Sequence, residues 1–106
     1  VEDCLAYFHD AGIPRSLLSL GEQGLIYSCS GTRVTAVPPE IEAVSAVGAG
    51  DAALAGAVFG LVNDMTPTEI AAWACACGTA AAASASNCFA DKGMVERILG
   101  QVKVGR

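Results

Sequence analysis

Ser45-Ala46-Val47-Gly48-Ala49-Gly50-Asp51 runs straight into the small-residue series Ala52-Ala53-Leu54-Ala55-Gly56-Ala57-Val58, and this stretch decides how the chain folds. It puts one carboxylate at a glycine-formed turn that opens a helix. Glycine at both Gly48 and Gly50 lets the backbone come close to a ligand, and the first amides of the helix have no intrahelical acceptor. Such a turn favours a negatively charged oxygen. Asp51 beside those amides would repel a stored phosphate, but it suits a base that takes a proton from a hydroxyl attacking one. The spacing points to phosphoryl transfer. A purely structural reading stands beside it, in which Asp51 only caps a helix and the glycines only make a tight turn.

Outward from the turn, the pattern is helix, strands, then helices, without a linker or repeat. Asp3 to Ala11 reads as the end of an amphipathic helix closed by Gly12 and Pro14. Ser16-Leu17-Leu18-Ser19-Leu20 reads as a buried strand ending at Gly21. Leu25 to Cys29 and Arg33 to Val37 flank Ser30-Gly31-Thr32 as a hairpin, and Pro38-Pro39 breaks the run. Ala52 to Val62 is apolar all round, the mark of a central buried helix, with Ala52, Gly56 and Gly60 forming a stripe for close approach. Thr66-Pro67-Thr68-Glu69 is a capping box with Pro in the first helical position, predicting a long helix from Pro67 to about Ser84. Asp91 is expected to cap a last helix to about Leu99, and Val102-Lys103-Val104 to be a short strand or a tail.

Composition sets limits. With 106 residues the chain is at most one domain, and although it is 53% hydrophobic, much of that is alanine. Alanine contributes little burial at about 25 cal/mol per Å² of apolar area, so its helices need close neighbours and the chain reads as incomplete. A net charge of −5, with six Lys and Arg spread singly, provides no basic stripe for nucleic acid. Five cysteines, Cys4, Cys29, Cys75, Cys77 and Cys88, are odd in number. Cys75 and Cys77 would point to different helix faces, so free thiols are expected, in keeping with a reducing, cytoplasmic compartment. The start Val1-Glu2-Asp3 is not a signal sequence. Ala43 to Val62 is apolar enough to suggest a membrane span, but Asp51 would lie mid-span at a cost of about 2.5–3.5 kcal/mol, which favours a buried helix in a protein that does not enter a membrane.

Gly48-Ala49-Gly50-Asp51-Ala52-Ala53 also fits a G-x-G-x-x-A dinucleotide fingerprint. That fold needs a second parallel strand ending in an acidic residue about 20 residues on. The distance lands on Glu69, inside the next helix cap, so the fit is poor. The P-loop signature Gly-Lys-Ser/Thr is absent from the sequence. His9 reads as a solvated helix residue, Trp73 as core, and Arg33 as a strand-surface residue.

Two further segments keep company with the glycine turn: Ser19-Leu20-Gly21-Glu22-Gln23-Gly24, a second strand-end turn, and Ala74-Cys75-Ala76-Cys77-Gly78-Thr79-Ala80-Ala81-Ala82, a small-residue helix suited to the wall of a flat pocket. In this order and spacing the three motifs resemble the C-terminal part of a phosphofructokinase-B type carbohydrate kinase. The match is with the sugar-phosphate branch that includes 1-phosphofructokinases and tagatose-6-phosphate kinases, and it runs over nearly the whole sequence. The resemblance implies a ribokinase-like, three-layer α/β fold of which residues 1–106 are the C-terminal nucleotide-binding and catalytic-base portion. It implies ATP with Mg2+ and a sugar phosphate as reactants, and it leaves a homo-oligomer open.

Residue by residue, the resemblance makes Asp51 the catalytic base and the backbone of Gly48, Ala49 and Gly50 the anion hole, with Gly50 and Asp51 also close to the nucleotide. Ser19, Leu20, Gly21, Glu22, Gln23 and Gly24 would contact ATP. The helix around Cys75 to Ala82 and the loop at Ser86-Asn87 would border the adenine. The acidic motif associated with magnesium and the sugar-binding residues fall outside this segment, so no metal ligand is expected in it, and isolated activity is not expected. Where the family often has Asp-Thr or Asn-Thr, this chain has Ser45-Ala46, a change that bears on nucleotide affinity or rate and not on the base.

Overall fold

The computed structural model describes residues 2–41, 44, 47–84 and 92–105. Helix α1 (Glu2–Asp10) leads into strand β1 (Arg15–Ser19), and a short 3₁₀ turn (Gly21–Gln23) connects β1 to strand β2 (Leu25–Cys29). Strand β3 (Thr32–Val37) is followed by helices α2 (Ala49–Val62), α3 (Pro67–Ala83) and α4 (Lys92–Leu99), and by strand β4 (Lys103–Gly105). Each expected element is present. The closing segment is a strand and not a tail, paired to β3 through Val37 and Lys103. The expected cap at Asp91 lies outside the described residues.

The four strands form one antiparallel sheet in the order β1-β2-β3-β4. Ser30 and Gly31 connect β2 to β3 with φ of 48° and 88°, the pair of positive values that a two-residue type I′ hairpin turn requires. Register then aligns Leu17, Tyr27 and Val34 in one row and Leu25 with Ala36 in another. Alternation turns these residues to one face, where Leu25, Tyr27, Val34 and Ala36 pack with Ile70, Ala71, Ala74 and Cys75 of α3. A second cluster joins Ala76 and Ala80 on the other side of α3 to Val95 and Ile98 of α4.

α3 begins as its capping box dictates. The Glu69 amide donates to Thr66 Oγ1 at 3.2 Å, and the Thr66 amide donates to Glu69 Oε1 at 3.1 Å. At the other end, the Ser84 hydroxyl donates to the Ala80 carbonyl at 2.8 Å.

α2 and α3 lie antiparallel, and glycine sets their separation. A Cβ on Gly60 would meet Ile70, one on Gly56 would meet the backbone of Trp73 and Ala74, and one on Gly78 would meet Ala49 and Ala53. The stripe read from Gly56 and Gly60 therefore does admit a close neighbour.

Two burial expectations are corrected. α2 buries only Ala53, Gly56, Ala57 and Gly60, while Leu54, Val58 and Val62 are 57%, 48% and 75% exposed. An apolar circumference shows that a helix can be buried all round; only a neighbour on each side makes it so. β1 is half-exposed, and among the described strands it ends the sheet order with β2 as its neighbour. His9 is exposed and Trp73 is half-buried, its ring 5.1 Å from that of Phe59.

Candidate functional site

The turn after β1 is built on two glycines. Gly21 has φ of 63° and Gly24 φ of 103°, values that L side chains rarely adopt. A Cβ on Gly24 would fall on the carbonyl oxygen of Ala36, so the turn lies directly against β3. The Leu20 amide donates to the Gly24 carbonyl at 2.8 Å and the Gln23 amide to the Leu20 carbonyl at 3.2 Å, which closes the loop on itself.

The second turn is capped by Gly48 in the left-handed region, at φ of 82°, with no side chain bonding to the helix end. The first intrahelical bond runs from the Ala52 amide to the Gly48 carbonyl at 2.9 Å. The amides of Ala49, Gly50 and Asp51 precede it and carry the positive end of the helix dipole. α2 starts at Ala49, earlier than the expected Ala52, so Asp51 sits in its first turn, exposed to solvent.

A cavity of about 620 Å³ brings these turns together with α3. Ser19, Gly21, Glu22 and Gly24 border it from the β1 side, Ala49, Gly50 and Ala53 from α2, and Ala74, Cys75, Gly78, Thr79 and Ala82 from α3. The remaining wall is Val37, Pro38, Pro39, Glu40 and Ile41, with Leu25 between the turns. Of the residues singled out in the sequence, Ser19, Gly21, Glu22, Gly24, Ala49, Gly50 and Cys75 border this space. Leu20 and Gln23 build its rim through their hydrogen bonds. Gly48 and Asp51 are not among the lining residues; they flank Ala49 and Gly50 in the chain, one on each side. Asn87, Ser86, Ser45 and Ala46 lie outside the described residues.

Pro38 to Ile41 is the part that sequence reasoning missed as a wall. Its signal was visible in Pro38-Pro39, a stiff, extended pair directly after a strand, but it was read only as the end of that strand. The α3 wall follows from helical spacing, since positions 74, 75, 78, 79 and 82 share one face. All five side chains there are small, which leaves a flat surface.

Burial pushes the Cys75 thiol above its ordinary range, and a hydrogen bond with Thr79 pulls it partly back; burial also pushes Cys77 up. Both thiols stay protonated at neutral pH. Glu22 and Glu40, both carboxylates, are the charged residues among the described lining, and the amides at the start of α2 are the groups there with positive partial charge. No group of three or more His, Cys, Asp or Glu among the described residues is arranged to hold a metal ion, and no helix among them is long and apolar enough to cross a membrane.

Comparison with known proteins identifies relatives of this chain. The 1-phosphofructokinase of Borreliella burgdorferi is 34% identical over 98 residues, an alignment covering 90% of this chain and 31% of that protein. The 1-phosphofructokinase of Haemophilus influenzae is 30% identical over 94 residues, covering 88% of this chain and 30% of its own length. This chain thus spans about a third of the length of the curated relatives it matches. Phosphofructokinase-2 from Escherichia coli, solved in complex with potassium, superposes with a TM-score of 0.87 at 24% identity, over 94% of this chain and 32% of that one. That likeness shows the fold, an α/β sheet-and-helix arrangement of the ribokinase-like sugar kinases. A family model described as pfkB family carbohydrate kinase matches residues 1–91, and the chain belongs to that family.

Proposed function

We propose that the protein transfers the γ-phosphoryl group of magnesium-ATP to a hydroxyl of a sugar phosphate, converting fructose 1-phosphate to fructose 1,6-bisphosphate. The observation that carries this reading is the shared cavity, in which the Ser19–Gly24 turn, the amide end of α2 and the flat α3 wall face one space. The 1-phosphofructokinase relatives support the choice of acceptor. In this reading the nucleotide lies along α3 and the Ser19–Gly24 turn, with its phosphates toward Ala49 and Gly50. Magnesium would supply positive charge at the nucleotide phosphates.

In the proposed reaction the acceptor oxygen forms a bond to the γ-phosphorus, the bond from that phosphorus to the ADP oxygen breaks, and the hydroxyl proton passes to the Asp51 carboxylate. General-base assistance is worth about 10²–10⁴-fold. Stabilisation of the transferring charge by fixed amides contributes on a comparable scale, because these dipoles need no reorganisation. Exposure of Asp51 at the first turn of α2 leaves it reachable by an acceptor.

The test is ADP release by the full-length parent protein, which would carry the sugar-binding residues as well as this segment, with magnesium-ATP and fructose 1-phosphate, tagatose 6-phosphate or no acceptor. Release that depends on fructose 1-phosphate supports the proposal, and preference for tagatose 6-phosphate moves it to the neighbouring branch. Nucleotide binding without acceptor-dependent release would make the chain a non-catalytic nucleotide-binding module.

A further inference from the structure

Gly78 on α3 stands opposite the first turn of α2. A Cβ there would lie 3.2 Å from the carbonyl oxygen of Ala49 and 3.2 Å from the Cβ of Ala53. Both separations are tighter than ordinary van der Waals contact, so a methyl group would make one neighbour yield by a few tenths of an ångström. Ala53 is buried in the core cluster and has little room to retreat. Ala49 is half-exposed at the helix end. The displacement would therefore fall on the Ala49 carbonyl.

That carbonyl and the Gly50 amide are two halves of one planar peptide unit, so moving the oxygen turns the N–H. The Gly50 amide is among those at the start of α2 without an intrahelical acceptor, and Ala49, Gly50, Ala53 and Gly78 all border the same cavity. Gly56 and Gly60 also relieve the α2–α3 crossing, but their neighbours are Trp73, Ala74, Cys77 and Ile70. Among the described glycines of the crossing, Gly78 is the one whose missing side chain bears on the amide turn.

We propose that Gly78 is a positioning residue: by leaving space for the Ala49 carbonyl it sets the direction of the Gly50 amide toward the phosphates of a bound nucleotide. This rests on the reading of the cavity as a nucleotide site. Gly78 itself touches no reacting atom.

The experiment is calorimetric titration of wild-type, Gly78→Ala, Gly78→Ala/Ala53→Gly and Gly60→Ala proteins with ATP and with adenosine at one magnesium concentration. For Gly78→Ala, ATP affinity is expected to fall by about fivefold or more while adenosine affinity stays within about twofold, since only the phosphates meet the turned amide. Removing the Ala53 methyl gives the new side chain room, so the double variant regains the wild-type ratio of ATP to adenosine affinity. Gly60→Ala, at the far end of the crossing, lowers Tm and leaves that ratio unchanged. Equal loss of both ligands, an unchanged ratio in Gly78→Ala, or a ratio that stays low in the double variant overturns the positioning role. Wild-type protein that binds neither ligand overturns the nucleotide site and the positioning role with it, whereas the preceding outcomes overturn the positioning role alone.

Discussion

Gly56 of α2 and Trp73 of α3 meet backbone to backbone: a Cβ on Gly56 would stand 2.7 Å from the Trp73 carbonyl oxygen and 3.0 Å from the Ala74 Cα. Neither of these atoms is the end of a flexible side chain, so the helices must separate to admit a methyl group. Gly56→Ala is expected to destabilise the protein by about 1–3 kcal/mol, although alanine is the better helix former. Urea unfolding reads this as a lower midpoint at similar slope. An unchanged or raised midpoint would mean that the crossing has slack.

Gly24 joins a positive φ to a position where a Cβ would overlap the Ala36 carbonyl oxygen. Strained backbone of this kind costs about 1–3 kcal/mol before the overlap is added. Gly24→Ala should therefore be among the most destabilising single changes in the turn. Gly21→Ala, whose Cβ would meet nothing within 4 Å, should cost only its backbone strain. Thermal unfolding of the two variants checks the order, and equal losses would remove the claim that the turn is pressed onto β3.

Asp51→Asn keeps the size of the side chain and removes its capacity as a base. In the full-length parent protein, turnover should drop at least about 10²-fold with nucleotide binding largely intact. Steady-state kinetics alongside an ATP titration separates the two quantities. Near-normal turnover would leave Asp51 as a helix-end residue only.

Cys75 and Cys77 have thiols that burial holds above the ordinary value of 9.0. A raised folded value means that the unfolded chain releases these protons first. The contribution to stability is therefore full below about pH 9 and is lost as pH climbs toward the folded values, at up to about 1.4 kcal/mol per pH unit for each thiol. Cys75→Ala should be less stable at pH 7 and should lose less stability between pH 8.5 and about 10.5 than wild type. Parallel pH profiles of the two proteins in urea would show that Cys75 does not titrate as described.

Much of the architecture was readable because its causes lie within a few residues of each other. Thr66 and Glu69 are three apart and bond each other's amides, so α3 could be started correctly from four letters. Ser30-Gly31-Thr32 between two strand-like runs marked the hairpin, while its register needed the structure, in which the loop is Ser30-Gly31 and Thr32 already pairs with Cys29. The amide turn at Gly48 to Asp51 and the glycine turn at Ser19 to Gly24 were also legible, since positive φ and unpaired helix amides are local properties. Pro38 to Ile41 was not recognised as a wall, because nothing nearby in sequence says that this segment faces Ala74 and Gly78 across about forty residues of chain.

Turns, caps and helix periods follow from neighbouring residues, and with them the motif order that marks a pfkB family kinase; steric limits on φ and short-range hydrogen bonds act within one or two turns of chain. Which of the apolar residues are covered depends on how the elements pack. Leu54 and Val58 are as apolar as Ile70, yet they stay exposed while Ile70 is buried, since burial depends on a partner supplied from elsewhere in the chain. The same holds for Gly78, an ordinary helix glycine until α2 folds back and sets Ala49 against it.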